Sequence, residues 1–221
     1  IRAEKAYREL LRTGTLKAEV YNNLASILID RGLLRPALVL VTRAINLSAG
    51  HPDALANLAS IHGLQGAWPE CITICEQAID ADESNPIPKL WKSRALYTLE
   101  GPESAISYLT ESAERLDNNQ RAALEAEITI FLLTLNRTRE ATQYILQAIK
   151  ANPNSDALWE SAISATTAAG KGKTFSRLVE RALKNKALPS QTGFFYARIA
   201  LAIDQEDKAI VALLKLVEAH P

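Results

Sequence analysis

Asn23 and Asn57 stand 34 residues apart, each inside the same short phrase of sequence. Tyr21-Asn22-Asn23-Leu24-Ala25-Ser26-Ile27 is answered by Leu55-Ala56-Asn57-Leu58-Ala59-Ser60-Ile61. A primary amide carries two donors and an acceptor, so a row of amides can engage the N–H and C=O of a peptide backbone without reading its side chains. Asn is also a poor helix former, which gives two matched positions a reason beyond propensity. The competing reading makes both of them plain solvated residues. At about 0.5–1.5 kcal/mol net per hydrogen bond, two amides alone do not hold a ligand.

Little else in the chain points to chemistry. It contains no glycine-rich phosphate loop, no G-x-S-x-G, no H-E-x-x-H and no Cys/His cluster, and its carboxylates are scattered. No enzyme, cofactor or metal is therefore expected. Cys71 and Cys75 are four residues apart, so on a helix their Cβ vectors run side by side, which suits a disulfide poorly. His51, His62 and His220 lack ligand spacing, and the cysteines read as two small core residues.

The elements that must carry the amides announce themselves by period. Gly32 recurs at Gly66 and Ala44 at Ala78, both 34 residues on. Ala37, Cys71, Ala105, Ala141, Phe175 and Ala209 follow one another at steps of 34, 34, 36, 34 and 34. Such a period marks a stack of helix pairs, none of which can bury its apolar face alone. Within a unit a large apolar residue is followed by x2-Leu-Ala, then a turn glycine, a small residue and an apolar one four later. Ala37-x3-Val41, Ala141-x3-Ile145 with Pro153, Phe175-x3-Val179 with Ala182, and Ala209-x3-Leu213 with Pro221 show it. This resembles the tetratricopeptide repeat (TPR), W-x2-L-G-x2-Y…A-x3-F…P.

The resemblance implies an all-α fold, a right-handed α-solenoid of antiparallel helix pairs. It divides one array into a half repeat, 1–17, and repeats 18–51, 52–85, 86–121, 122–155, 156–189 and 190–221. The half repeat, the opening at Ile1 and the absence of Met point to a fragment or a processed product. The 36-residue step makes the third repeat irregular, with the slack expected near Pro86-Ile87-Pro88 and Glu100-Gly101-Pro102. Gly32, Gly66 and Gly170 mark turns between paired helices, with Asn136 and Asp204 in the same place later.

Composition narrows the partners. Lys+Arg 25 against Asp+Glu 25 leaves no net charge, which argues against nucleic acid and against an anionic membrane surface. No apolar run is long enough to span a bilayer. No secretory leader opens the chain, and the cytoplasm is the favoured compartment.

In proteins of this family the first, or A, helices line a concave groove that binds extended peptides or partner helices. The inward positions of each repeat are the second, fifth, sixth, ninth, twelfth and thirteenth. The residues expected to meet a ligand are Asn22, Asn23, Ser26, Asn57, Ser60, Ile130, Phe195 and Arg198. Asn23 and Asn57 resemble the asparagine ladder of glycosyltransferase and motor-light-chain members, although Ser93, Glu127, Ser161 and Phe195 follow at the nearest equivalent positions. The family's clamp for chaperone tails lacks its leading Lys and Asn, since Asn22 and Ser26 stand there. The groove turns apolar at Ile130, Leu133, Phe194, Phe195 and Leu201, and one of the paired Phe is expected to fill the slot of Trp159.

Two charge clusters read as solvated faces or as a contact between copies. Lys171, Lys173, Arg177, Arg181, Lys184 and Lys186 are basic; Glu70, Glu76, Asp80, Asp82 and Glu83 are acidic. The last helix, 206–219, is apolar nearly all round, which suggests self-association or a further repeat. The expected function is a non-catalytic protein-interaction scaffold for a peptide or protein ligand. The alternative is the recruiting or oligomerising arm of a larger enzyme of glycosyltransferase, sulfotransferase or methyltransferase type.

Overall fold

The computed structural model describes residues 2–14, 16–168, 170, 172–184 and 192–219. A few side chains within these helices, Ser161 and Ser164 among them, fall outside the description, as do the whole of Lys171, Lys186, Gln191, His220 and Pro221. Thirteen helices and no strand occur among the described residues. The fold is the all-α solenoid type, helices packing as successive antiparallel pairs. The chain forms two compact units, Ile1–Ala105 and Ile106–Pro221.

The first unit holds α1 (Arg2–Arg12), α2 (Ala18–Asp30), α3 (Leu34–Leu47), α4 (Pro52–Leu64), α5 (Trp68–Ala81) and α6 (Pro86–Leu99). Proline in the first turn of α4, α5 and α6 starts each helix where its missing N–H costs nothing. Asn85 caps α6, its Oδ1 accepting from the Ile87 N–H at 3.0 Å. α4 packs on α3, as well as on α2 and α6, so α2, α4 and α6 form one layer with α3 and α5 behind it. Leu28, Ala37, Val41 and Ile61 are buried between the layers, with Leu38, Ile45 and Leu58 against them.

α1 is held by charge. Glu4 is buried and its carboxylate bridges Arg8 and Arg31, each at 2.7 Å, which ties α1 to the end of α2. Ala3 and Leu10, which share a helical face with the half-buried Tyr7, are exposed.

α7 (Pro102–Glu114) begins in the first unit and ends in the second. The second unit continues with α8 (Asn118–Thr134), α9 (Thr138–Ala151), α10 (Asp156–Ala168), α11 (Gly172–Lys184), α12 (Gly193–Ala202) and α13 (Glu206–Ala219). Its core gathers Ile145, Ile149, Leu158, Trp159, Phe175, Val179, Tyr196 and Ile199.

The turn between paired helices is built the same way in both units. Gly32, Gly66 and Gly170 have φ of +71°, +73° and +67°, and Asn136 and Asp204 adopt φ of +57°. This left-handed residue lets the next N–H reach back into the helix: Leu33 to the Leu28 carbonyl at 2.8 Å, Arg137 to Leu132 at 2.9 Å and Gln205 to Ala200 at 2.8 Å. Glycine is the natural occupant and Asn or Asp the tolerated substitutes.

The irregular step lies elsewhere than the sequence suggests. The second, or B, helices begin at residues 34, 68, 102, 138, 172 and 206, so the 36-residue interval falls between α7 and α9. α6 and α7 keep the spacing of the pairs before them. The extra residues lengthen α8 to 17 residues, against 13 or 14 for α2, α4 and α6. Asp117 starts it early as a capping box, accepting from the Gln120 N–H at 2.9 Å while Gln120 Oε1 accepts from its own N–H at 3.4 Å.

Candidate functional site

Along α2, α4 and α6 the inner layer is polar. Asn57 Nδ2 on α4 donates to Asn22 Oδ1 on α2 at 2.7 Å, and Asn22 is buried. Asn23 Nδ2 donates to Tyr7 Oη on α1 at 3.2 Å. The two matched asparagines thus do not form consecutive steps of one row. Each sends its amide backward to the helix that precedes it. Asn23 is exposed and Asn57 half-buried, and each amide has a second N–H and a carbonyl besides the N–H it uses.

Ser60 is buried and its hydroxyl donates to the Ala56 carbonyl at 2.9 Å in its own helix, while Ser26 is half-buried. Glu19, Asp30, Asp53 and Leu64 are exposed, whereas Asn22, Ala56, Ser60 and Gly63, counted at inward positions too, are buried. Gly63 is closed off: a Cβ there would lie 2.2 Å from Trp91 Cε3, because the indole of α6 rests on the α4 backbone. Arg94 lies over the same ring at 4.9 Å from its centroid. Lys89 is buried and donates through Nζ to the Glu83 carbonyl.

In the second unit the same sixth position holds Phe195, and it too points backward. Its ring stacks on Trp159 of α10 at 4.9 Å with 5° between the planes, and it is only 8% exposed. The exposed aromatic is its neighbour Phe194, at 50%. Phe195 therefore belongs to the core and Phe194 presents the ring, the reverse of what the site expectation assigned. Phe194 meets Phe195 edge-on at 5.7 Å, and the Arg198 guanidinium sits 6.0 Å from the Phe194 centroid while pairing with Glu160 of α10. Ile130 is half-buried, and Leu201 is exposed.

Buried charge also occurs on α8, near Tyr144 of α9. Burial pushes the Glu125 carboxyl above its usual range, with the Arg121 guanidinium 3.2 Å away pulling it back. Tyr144 is pushed up to about 12, first by burial and then by the Glu125 charge.

Away from the inner layer, a cleft of about 440 Å³ opens between α11, α12 and α13. Leu183, Tyr196, Val211 and Leu216 line it, with Glu180 and the ammonium groups of Lys184, Lys208 and Lys215 among them. The hydrogen bond from Lys184 holds Glu180 below the ordinary carboxylate range. Lys173, Arg177, Arg181 and Lys184 of the basic cluster are exposed, and in the acidic one Glu76 pairs with Lys92 at 2.7 Å.

Cys71 and Cys75 are free, fully buried and 3.9 Å apart at sulfur, packed with Ala59. Their mutual hydrogen bond lowers the first thiol and raises the second. No group of three His, Cys, Asp or Glu side chains suited to a metal occurs among the described residues. No helix among them is long and apolar enough to cross a membrane.

Layered helix pairs of this spacing have counterparts among solved structures. Pseudomonas aeruginosa PilF aligns over 92% of either chain at 17% identity with a TM-score of 0.56. YrrB, a TPR protein with an unusual peptide-binding site, aligns over 99% of this chain and 94% of its own at 16% identity and 0.51. A chain of the APC/C hetero-tetramer Cut9–Hcn1 reaches 0.63 over 96% of this chain and 43% of the other at 12% identity.

The chain has the tetratricopeptide-repeat fold.

No family model and no curated protein matches the sequence, in keeping with a TPR pattern that fixes small and apolar slots but few identities. In TPR terms the position that sequence reasoning misread is the sixth of each repeat. Asn23, Asn57 and Phe195 all use it to fasten one repeat to the element before it. The signal was present in Asn22, 35 residues before Asn57, and in Tyr7, 16 residues before Asn23.

Proposed function

We propose that the chain is a non-catalytic scaffold whose A helices receive an extended peptide or partner segment, with Asn23 and Asn57 meeting its backbone. The observation behind this is the amide chemistry of α2 and α4. Asn57 is held by Asn22 at 2.7 Å and Asn23 by Tyr7 at 3.2 Å, so each amide is oriented before a ligand arrives. Orientation in advance lowers the entropy cost of binding. Ser26 adds a polar contact in the first unit, and the second unit by itself offers Arg198 as a polar contact and Phe194 as an aromatic anchor. YrrB, a structure of similar fold, carries a peptide-binding site. Zero net charge favours a protein ligand over nucleic acid. Repeats 18–51 to 190–221 would then serve as one array.

The test is a displayed library of extended peptides, followed by calorimetry on the best binder. Asn23→Ala with Asn57→Ala should weaken that binder by about tenfold, near the 1.4 kcal/mol expected of one or two lost hydrogen bonds. An unaltered dissociation constant would remove both asparagines from the site. The exposed apolar side of α13 favours a second role, as the arm by which a larger enzyme is recruited or oligomerised. The full-length reading frame decides that.

A further inference from the structure

In the sixth repeat the A-helix slot for a large side chain holds Gly193, where Tyr21, Leu55 and Trp159 stand in others. The late B-helix slot, small at Ala44, Ala148 and Ala182, holds Leu216. Tyr21 gathers with Ala44 and Trp159 with Ala182 in the core, so the sixth repeat keeps the contact with the sizes exchanged. A Cβ on Gly193 would lie 3.4 Å from Leu216 Cγ. Glycine and leucine together take up less room than tryptophan and alanine, and here the cleft of about 440 Å³ opens between α11, α12 and α13.

The side of the B helices on which it opens is free in every repeat. The positions equivalent to Val211, which lines the cleft, are Val39, Thr73, Ser107, Gln143 and Arg177. All five are exposed, although a further helix pair follows each of them. The cleft is therefore not a face that a following repeat covers.

Its walls are apolar and its charges unequal. Three ammonium groups, of Lys184, Lys208 and Lys215, face two carboxylates, of Glu180 and Asp207. Glu180 is answered twice, by Lys184 at 2.8 Å and by Lys208 at 3.9 Å. Lys215 pairs with no carboxylate among the described residues, and Asp207 lies eight positions away, about 12 Å along the helix. One surplus positive charge beside apolar walls is the complement of an amphipathic monoanion.

We propose that the cleft binds a medium-chain fatty acid, its carboxylate at Lys215 and its alkyl chain along α13 over Ala212 and Val211. The lining runs from Asp207 to Leu216, about 14 Å of helix, which suits a chain better than a ring. Leu216 already takes the place over Gly193 where a ring would lie. This site goes beyond the scaffold reading and uses none of its residues.

Calorimetric titration of the 221-residue chain with decanoate tests the site. One site per chain is expected, with a dissociation constant on the order of 50 µM for a ligand of about a dozen heavy atoms. Lys215→Gln should weaken decanoate about tenfold, the size of one charge-assisted hydrogen bond, and leave the binding of uncharged decanol unaltered. Gly193→Leu restores a large side chain to the slot and should abolish binding. Val211→Glu, at an exposed position that spares the core, sets a carboxylate in the cleft and should abolish it too with an unchanged circular dichroism spectrum. Val217→Glu, on the opposite side of α13, should change nothing. No heat at millimolar decanoate, several equal sites, indifference to Lys215→Gln, or a loss with Val217→Glu as large as with Val211→Glu would overturn the proposal. Tighter binding of indole-3-propionate than of decanoate would do the same, since it would put a ring where the alkyl chain is assigned.

Discussion

One slot of the repeat is solved twice in this molecule, with opposite chemistry. In the first unit the sixth position reaches back as an amide, Asn57 to Asn22; in the second it reaches back as an aromatic, Phe195 stacked on Trp159. The amide pair is polar on both sides of its bond and stays half open to solvent. The aromatic pair is buried and passes the polar work outward, to Arg198 and Glu160. What the fold demands of this slot is contact with the preceding helix, not a residue type. A slot fastened by hydrogen bonds keeps donors and acceptors for a ligand, while one fastened by stacking does not.

The largest effect should come from Phe195→Ala, which removes a buried ring from the second unit and costs about 3–4 kcal/mol in urea unfolding. Asn57→Ala at the equivalent slot should cost far less, and equal losses would erase the distinction between the two units. Next is Gly63→Ala. The added methyl meets the Trp91 ring and forces it or α4 to move, for about 2 kcal/mol and an altered tryptophan emission. The Asn22–Asn57 bond should appear in a double-mutant cycle to Ala as a coupling of about 1 kcal/mol. No coupling would make the amides bystanders.

The smallest effect concerns Glu125, whose folded-state proton affinity is raised by burial. A group of that kind supports folding below its ordinary range and loses that contribution as pH rises through its folded value. At neutral pH the buried carboxylate therefore costs stability. Glu125→Gln should raise the thermal midpoint at pH 7, less than a lone buried charge would allow because Arg121 pairs with it, and the gain should vanish as pH falls below the usual glutamate range. A gain that grows in acid would reverse the sign.

The repeat length was legible because turn chemistry is local. Gly32, Gly66, Asn136, Gly170 and Asp204 all adopt the left-handed conformation that their place in the pattern implies. The core was legible for a similar reason, since Ala37, Cys71 and Ala141 are small residues at points where helices touch. What a period could not convey was the side to which a residue near the edge of the stripe leans. Phe194 and Phe195 differ by about 100° around one helix, and only the packing of α10 decides which of them is covered. Asn22 and Asn57 sit at different positions of their own repeats, so comparing like with like passes over the pair that bonds. The extra residues after α7 were misplaced because prolines drew attention to α6, whereas the lengthening lay in an α8 opened early by Asp117 and Gln120.

The two thiols of α5 make the molecule its own reporter. Both are inaccessible, both lie in the first unit, and the sequence holds no other cysteine. The rate at which a thiol reagent labels this chain is thus a clock for the momentary separation of α5 from its neighbours, blind to whatever the second unit does. Run beside the emission of Trp159, the second unit's lone indole, it would show whether the two halves come apart in one event or in turn.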